Sequence, residues 1–192
     1  NILVIYDISN PSKVIEVSRW WQPGQNVAAG EQPHETTGKR RTRGGEDHAL
    51  HHAMRCGDQM YAACWFSGIS IVDVSDIANP RTLGRHGSAN AEPTHTFMKV
   101  PFPIGGRSIA VSTGEERSPG RRGVDTGKPH APFRTWDVTD PTQPTILFDY
   151  HVNEEAQPYH GDDVRLGTHQ LREIVDKDCI VYVTWFAGGL RI

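Results

Sequence analysis

Apolar and polar residues alternate in short runs along the chain, and most of these runs end at a cluster of turn-forming residues. Runs such as Val4-Ile5-Tyr6 and Ile71-Val72 are rich in β-branched and aromatic side chains, which favour strands. Asp, then Ser, and a few residues later Pro, follow each of these runs. Short polar side chains hydrogen-bond to the local backbone and proline fixes φ, so these clusters predict turns. The pattern therefore predicts short strands joined by tight turns.

The strand-and-turn pattern is repeated along the chain. The segment 4–11 resembles the segments 71–80 and 134–141, and a fourth copy begins at Gly189. A second short strand follows each of the first three turns, and two strands precede the turn in the later copies. Each unit then has four antiparallel strands, which we name A to D in chain order. Repeated four-stranded units predict an all-β fold, a β-propeller with each unit forming one blade.

The predicted strands divide the chain into blades. We expect strands C and D of a first blade within residues 1–21, a second blade within 48–86, a third within 94–150 and an incomplete fourth within 168–192. Propellers close with about 4–8 blades. The chain is therefore expected to be a partial propeller, with about three blades of six or seven. The remaining blades would belong to a longer chain, or to a second copy that pools its blades into one closed ring.

Three longer inserts separate the predicted strands, at 22–47, 115–132 and 151–167. In an up-and-down blade the D–A and B–C connections emerge on one face, and the A strands begin on that face as well. We therefore expect the inserts to lie together on one face, with short turns on the other. Insertions on one face of a repeat array often mark its binding face.

The register of the histidines suggests a metal site. His52, His95 and His169 each open a predicted A strand when the A strands are aligned by their hydrophobic third residue. A strands line the channel of a propeller, so equivalent positions form a ring around its axis. Three imidazoles on one ring suit a divalent transition metal such as zinc, iron, copper or nickel. The alternative is a structural role, in which each histidine hydrogen-bonds to the neighbouring blade.

Glu115 is the candidate catalytic residue. It follows a predicted B strand, which places its carboxylate at the rim of the insert-bearing face. A carboxylate there could be a further metal ligand, a partner of a ligand or a general base. The sequence shows no Ser-His-Asp order, no Gly-rich phosphate loop and no Cys-pair zinc motif.

Composition supports the all-β interpretation and narrows the class of partner. The 192 residues include 19 glycines and 13 prolines, which long helices tolerate poorly. The net charge of −3 gives no overall basic excess for nucleic-acid binding. No apolar run reaches the roughly 18 residues of a membrane helix. We therefore expect a small-molecule substrate or ligand as the partner, and neither a nucleic acid nor a membrane.

The repeat resembles that of the LVIVD-repeat propeller family. The resemblance extends over most of the chain outside 26–46 and 117–131, and its pieces are similar to one bacterial branch of that family. They are Asn1-Ile2-Leu3-Val4-Ile5-Tyr6-Asp7, Trp20-Trp21-Gln22-Pro23-Gly24-Gln25, His51-His52-Ala53, Pro93-Thr94-His95-Thr96 and Gly188-Gly189-Leu190-Arg191-Ile192. Members of that branch are usually about twice this length, so the resemblance implies a partial propeller. It implies the fold and no particular activity.

Two functions are compatible with these patterns. The first is a metal-dependent enzyme, an oxidoreductase or a lyase, that acts on a small organic substrate at the channel mouth. Its metal would need an open coordination position. The second is a non-catalytic scaffold or ligand-binding propeller. The metal content of the purified protein would distinguish the two.

Overall fold

The computed structural model describes residues 2–32, 49–87, 93–115, 131–152 and 167–191. These residues form thirteen strands and one 3₁₀ turn at Val27–Ala29, and they contain no α-helix. None of them belongs to a helix long and apolar enough to cross a membrane. The strands are β1 (Leu3–Asp7), β2 (Ile15–Trp20), β3 (His52–Cys56), β4 (Gln59–Ala63), β5 (Ile69–Asp73), β6 (Arg81–His86), β7 (Thr94–Lys99), β8 (Ile109–Gly114), β9 (Phe133–Asp137), β10 (Thr145–Tyr150), β11 (Thr168–Leu171), β12 (Val183–Trp185) and β13 (Gly189–Arg191).

Antiparallel pairing groups these strands into four sheets. The second sheet, β3-β4-β5-β6, and the third, β7-β8-β9-β10, have four strands each in chain order. The first sheet is the pair β1-β2, and the fourth contains β11-β12-β13. The predicted all-β class and the four-stranded antiparallel unit are confirmed. The number of blades and the closure of a ring stay predictions.

The repeated aspartate builds the turn that ends the third strand of a unit. Asp7, Asp73 and Asp137 end β1, β5 and β9, and one carboxylate oxygen of each accepts a hydrogen bond from the backbone N–H two residues later, at 2.8–2.9 Å. The hydroxyl of Ser75, followed by its backbone N–H and by Arg81, lowers the pKa of Asp73 to about 2. The side chain and then the backbone N–H of Thr139 lower the pKa of Asp137, and the backbone N–H of Ser9 lowers that of Asp7. The turn chemistry predicted from the sequence is therefore present in three units.

Apolar side chains fill the space between neighbouring sheets. Tyr61 from the second sheet packs with Phe97 and Trp136 from the third, and all three are buried. Met98 from the third sheet belongs to a second buried cluster with Leu171 from the fourth. The first strands of successive sheets also contact one another, β3 with β7 and β7 with β11. This packing places the starts of β3, β7 and β11 close together.

One close backbone approach joins the second and third sheets. A Cβ atom at Gly84, in β6, would clash with the carbonyl oxygen of Pro141 and lie 2.7 Å from the carbonyl carbon of Thr142. Real Cβ contacts are essentially never that short, so only glycine fits where β6 meets the turn of the next unit.

Most of the three predicted inserts lies outside the described residues, at 33–47, 116–130 and 153–166. The described start of the first insert is held by one carboxylate. Glu31 accepts hydrogen bonds from the indole N–H of Trp21 and from the backbone N–H groups of Gly24 and Asn26, each at 2.9 Å. These three bonds lower the pKa of Glu31, with the bond from Trp21 contributing most.

Candidate metal centre

The repeat aspartates show which residues of neighbouring sheets are equivalent. Asp73 pairs with Gln59 at the start of β4, and Asp137 pairs with Ile109 at the start of β8. Because the two aspartates occupy the same place in their repeats, Gln59 and Ile109 are equivalent as well. The first strands of the two sheets can therefore be aligned by their pairing with β4 and β8.

This pairing aligns His51, and not His52, with His95. Ala63, four residues after Gln59, pairs with His52. Thr113, four residues after Ile109, pairs with Thr96. The residues immediately before them, His51 and His95, are therefore the equivalent pair. The alignment predicted from the sequence is wrong by one residue in the second sheet.

Five aromatic rings follow one another across three sheets, and we call them the ring row: Trp65, His51, His95, His169 and Phe186. The centroid distances between successive rings are 4.6, 4.3, 4.4 and 4.8 Å. The two outer pairs are stacked, and the inner pairs are tilted. The fold therefore brings together His95 and His169, two of the three predicted ligands, and adds His51 to them.

Glu115 lies against this row and reaches two of its imidazoles. One carboxylate oxygen lies 3.9 Å from Nε2 of His95, and the other lies 3.9 Å from Nε2 of His169. Ligand atoms of His51, His95 and Glu115 all lie within 4.8 Å of one another. Within the part of the chain that the structure describes, this is the one such group of His, Cys, Asp or Glu side chains.

Hydrogen bonds orient two of the imidazoles. Nδ1 of His51 lies 3.0 Å from the backbone carbonyl oxygen of His95. A carbonyl oxygen only accepts, so this Nδ1 carries the proton and Nε2 of His51 keeps its lone pair. Nδ1 of His95 lies 2.8 Å from the hydroxyl of Thr96, which leaves Nε2 facing Glu115. Metal-binding histidines are commonly oriented in this way, through their second ring nitrogen.

The environment of His95 keeps its imidazole neutral. Burial, together with the neighbouring imidazoles of His51, His169 and His52, lowers the pKa of His95 to about 3. The residue is 7% exposed. Neutral imidazole is the form that binds metals, so His95 does not have to lose a proton to act as a ligand near neutral pH.

His52 has different partners. Its Nε2 lies 3.1 Å from a carboxylate oxygen of Glu173, and its Nδ1 lies 3.5 Å from the hydroxyl of Thr96. The centroid of its ring is 6.5 Å from that of His95. His52 is therefore placed beside the group and not in it. Metal binding by any of these side chains stays a prediction.

The sequence reasoning missed His51 and Glu173. His51 directly precedes His52, the ligand predicted from the sequence, so the sequence signal for it was this adjacent pair of histidines. Pairing of β3 with β4 decides which of the two is equivalent to His95. Glu173 lies beyond the end of β11, and only the packing of β11 against β7, and of β7 against β3, brings it to His52. No sequence spacing would have indicated that contact.

The dimensions of the group fit a single ion after a small adjustment. Two atoms bound to one zinc-like ion at about 2.1 Å each lie at most about 4.2 Å apart. The distance of 3.9 Å from Glu115 to His95 already satisfies this limit. The whole group lies within 4.8 Å, so side-chain movements of less than about 1 Å would bring its atoms within coordination distance of one ion.

Comparison with known protein families identifies the repeat. The family model for the LVIVD repeat matches residues 1–21 and 56–86. These matches are consistent with an LVIVD-repeat protein and confirm the resemblance recognised in the sequence. A search of curated proteins finds no match to the chain. The matched residues include neither the three clustered histidines nor Glu115, so the family match concerns the scaffold and not the candidate metal centre.

Proposed function

We propose that this LVIVD-repeat protein binds one divalent transition metal through His51, His95 and Glu115. The observation that carries the proposal is the convergence of two oriented imidazoles and a carboxylate within 4.8 Å. This donor set suits zinc, iron, copper or nickel. His169 lies next in the ring row and faces the second oxygen of Glu115, so it can serve as a fourth ligand or hold that carboxylate in place.

The scaffold in this proposal is a partial β-propeller. The two complete sheets would be whole blades, and the sheets β1-β2 and β11-β12-β13 would be parts of two more. Further blades, from a longer chain or from a second copy, would close a ring of six or seven around the metal. Contacts between the first strands of successive sheets support this arrangement, because A strands meet at the axis of a propeller.

Metal binding favours the first of the two functions suggested by the sequence, a metal-dependent enzyme. Three protein ligands leave a coordination position for water or for a substrate. A metal with such a position can polarise a carbonyl group or activate a water molecule. In that case Glu115 would be a ligand rather than a free general base, and the substrate would be a small organic molecule at the channel mouth. The alternative is a non-catalytic scaffold or ligand-binding propeller.

Calorimetric titration of the chelator-treated protein with Zn²⁺ tests the proposal. Loss of an outer partner of a ligand typically costs 10–100-fold in metal affinity. We therefore expect His51→Ala, His95→Ala and Glu115→Gln each to weaken binding by about a hundredfold or more. His86→Ala is the matched control, because His86, in β6, packs against Trp136 in β9 and lies outside the group. Circular dichroism confirms that each variant is folded.

One further variant distinguishes the two possible ligand sets. His52→Ala is expected to leave the affinity close to that of the unmodified chain, because the imidazole of His52 is directed to Glu173. If His52→Ala weakens binding about a hundredfold and His51→Ala leaves it unchanged, the set His52, His95 and His169 predicted from the sequence is the right one. If the folded protein binds no ion, the metal proposal fails and the scaffold alternative takes its place.

A further inference from the structure

A series of hydrogen-bonding side chains extends from the candidate metal centre to the surface, and we call it the relay: His95, Thr96, His52 and Glu173. Nδ1 of His95 lies 2.8 Å from Oγ1 of Thr96, and the same oxygen lies 3.5 Å from Nδ1 of His52. Nε2 of His52 lies 3.1 Å from a carboxylate oxygen of Glu173. The relay joins three sheets, because His52 begins β3, His95 and Thr96 lie in β7, and Glu173 lies just beyond β11.

The hydroxyl of Thr96 couples the two imidazoles of the relay. Thr96 is fully buried, and the two Nδ1 atoms are the hydrogen-bond partners of its side chain among the described residues. A hydroxyl has one proton, so it donates to one of these nitrogens and accepts from the other. Both bonds form only if one Nδ1 carries a proton and the other keeps its lone pair. Because an unmade hydrogen bond of a buried group is costly, neutral His52 and His95 are expected to adopt opposite tautomers.

Glu173 decides which of the two arrangements forms. A carboxylate only accepts hydrogen bonds, so Nε2 of His52 carries the proton at this contact. Nδ1 of neutral His52 then accepts from the hydroxyl of Thr96, and Thr96 accepts from Nδ1–H of His95. Glu115 does not compete for this proton, because its oxygen lies 3.9 Å from Nε2 of His95, which is beyond hydrogen-bond distance. His95 is therefore left with a proton on Nδ1 and a lone pair on Nε2.

We propose that Glu173, His52 and Thr96 are positioning residues that hold His95 in the tautomer whose Nε2 can bind the metal. This inference rests on the proposed function, in which Nε2 of His95 is a ligand atom. Metal-binding imidazoles commonly donate their second N–H to an oxygen acceptor. Here that acceptor is a hydroxyl whose own proton is directed away from His95 by His52 and Glu173. The imidazole of His95 therefore keeps its tautomer when the metal binds.

Nitrogen NMR of the chelator-treated protein, with isotope-labelled histidine, tests the tautomers. The two nitrogens of a neutral imidazole differ in chemical shift according to which of them carries the proton. Spectra are recorded at about pH 8, where an unperturbed histidine is neutral, and the signals of His95 and His52 are those missing from His95→Asn and His52→Ala. We expect the proton of His95 on Nδ1 and that of His52 on Nε2. A proton on Nε2 of His95 would overturn the proposal.

Glu173→Ala removes the acceptor that decides the arrangement, and Glu16→Ala is its matched control, because Glu16 pairs with Arg19 outside the relay. We expect Glu173→Ala to lower the fraction of His95 with a protonated Nδ1 towards one half, and Glu16→Ala to leave it unchanged. Affinity scales with the fraction in the competent form, so Zn²⁺ would bind about twofold more weakly to Glu173→Ala. His52→Ala should have the same small effect. Equal tautomer fractions in Glu173→Ala and Glu16→Ala would overturn the role of Glu173.

Thr96→Val and Thr96→Ser test the hydroxyl itself. Valine is close to threonine in shape but has no hydroxyl, so the imidazole of His95 loses the partner that orients it. We expect Thr96→Val to weaken Zn²⁺ binding by about tenfold or more, and Thr96→Ser to retain both the affinity and the tautomer of the unmodified chain. Circular dichroism identifies the folded variants. Equal Zn²⁺ affinities of folded Thr96→Val and the unmodified chain would contradict the proposal.

The metal-free spectra separate this inference from the proposed function. A folded protein that has the expected tautomers and binds no Zn²⁺ would contradict the metal proposal alone. A protein that binds Zn²⁺ through His95, but carries the proton on Nε2 of His95 when metal-free, would contradict the relay alone.

Discussion

His95 is the most buried of the clustered histidines, and its environment gives the chelator-treated protein a defined response to acid. The pKa of His95 is about 3 in the folded chain, against about 6.5 for an unperturbed histidine. Between these values the unfolded state binds a proton that the folded state does not. The free energy of unfolding therefore falls as the pH falls from 6.5 towards 3. One proton corresponds to at most about 1.4 kcal/mol per pH unit.

Urea denaturation at pH values between 4.5 and 6.5 measures this dependence. The window avoids the aspartates of the turns, whose lowered pKa values affect stability only at lower pH. His95→Asn is expected to reduce the slope of the free energy of unfolding against pH by the contribution of up to one proton, whatever it does to the stability at neutral pH. An unchanged slope in this variant would show that His95 is protonated in the folded chain.

At the scale of elements, stability depends on how closely β6 approaches the next unit. Gly84→Ala would place a methyl group against the backbone of Pro141 and Thr142, which are held in a turn. Overpacking of this kind typically costs about 1–3 kcal/mol. We expect a loss of that size in the free energy of unfolding, measured by urea denaturation.

Gly87→Ala is the matched control for that substitution. A Cβ at Gly87 meets no atom within 4 Å among the described residues, so the expected change in the free energy of unfolding is within about 0.5 kcal/mol. Equal effects at the two positions would show that the loss comes from glycine's conformational freedom and not from the contact between the sheets.

At the scale of the whole molecule, β1 leaves one edge available for pairing. Among the described residues β1 pairs only with β2, whereas the equivalent strands β5 and β9 have a partner on each side. Tyr6 and Ile8, at and just after the end of β1, are more than half exposed. Strand edges of this kind pair with other chains. We therefore expect the mass measured by sedimentation to increase with protein concentration, because the edge of β1 pairs with strands of a second copy or of another partner.

Tyr6→Lys tests this expectation, because lysine on an edge strand opposes pairing between edges. It should lower the association constant at least tenfold, whereas Val27→Lys, at another exposed position, should not. A single chain at every concentration measured would contradict the involvement of β1 and the idea that two copies pool their blades.

Much of the architecture could be predicted from the sequence, because its determinants are local. The repeated Asp-containing turn depends on hydrogen bonds between residues two apart, as Asp73 and Ser75 show. The runs before and after these turns carry strand-forming residues, and consecutive strands pair in chain order. The repeat therefore predicted both the strands and their grouping into four-stranded sheets. The repetition also indicated that the starts of the first strands lie together.

The identity of the residues at the candidate metal centre was decided by the tertiary structure. Phe97 and Met98 are adjacent, apolar and both buried, because β7 packs against neighbouring elements on both of its faces. Alternation of apolar and polar residues marks register only where one face of a strand is exposed. The sequence could therefore not show which of the two matches Met54. Pairing with β4 and β8 made that choice, and the one-residue difference brought His51 into the group and turned His52 towards Glu173.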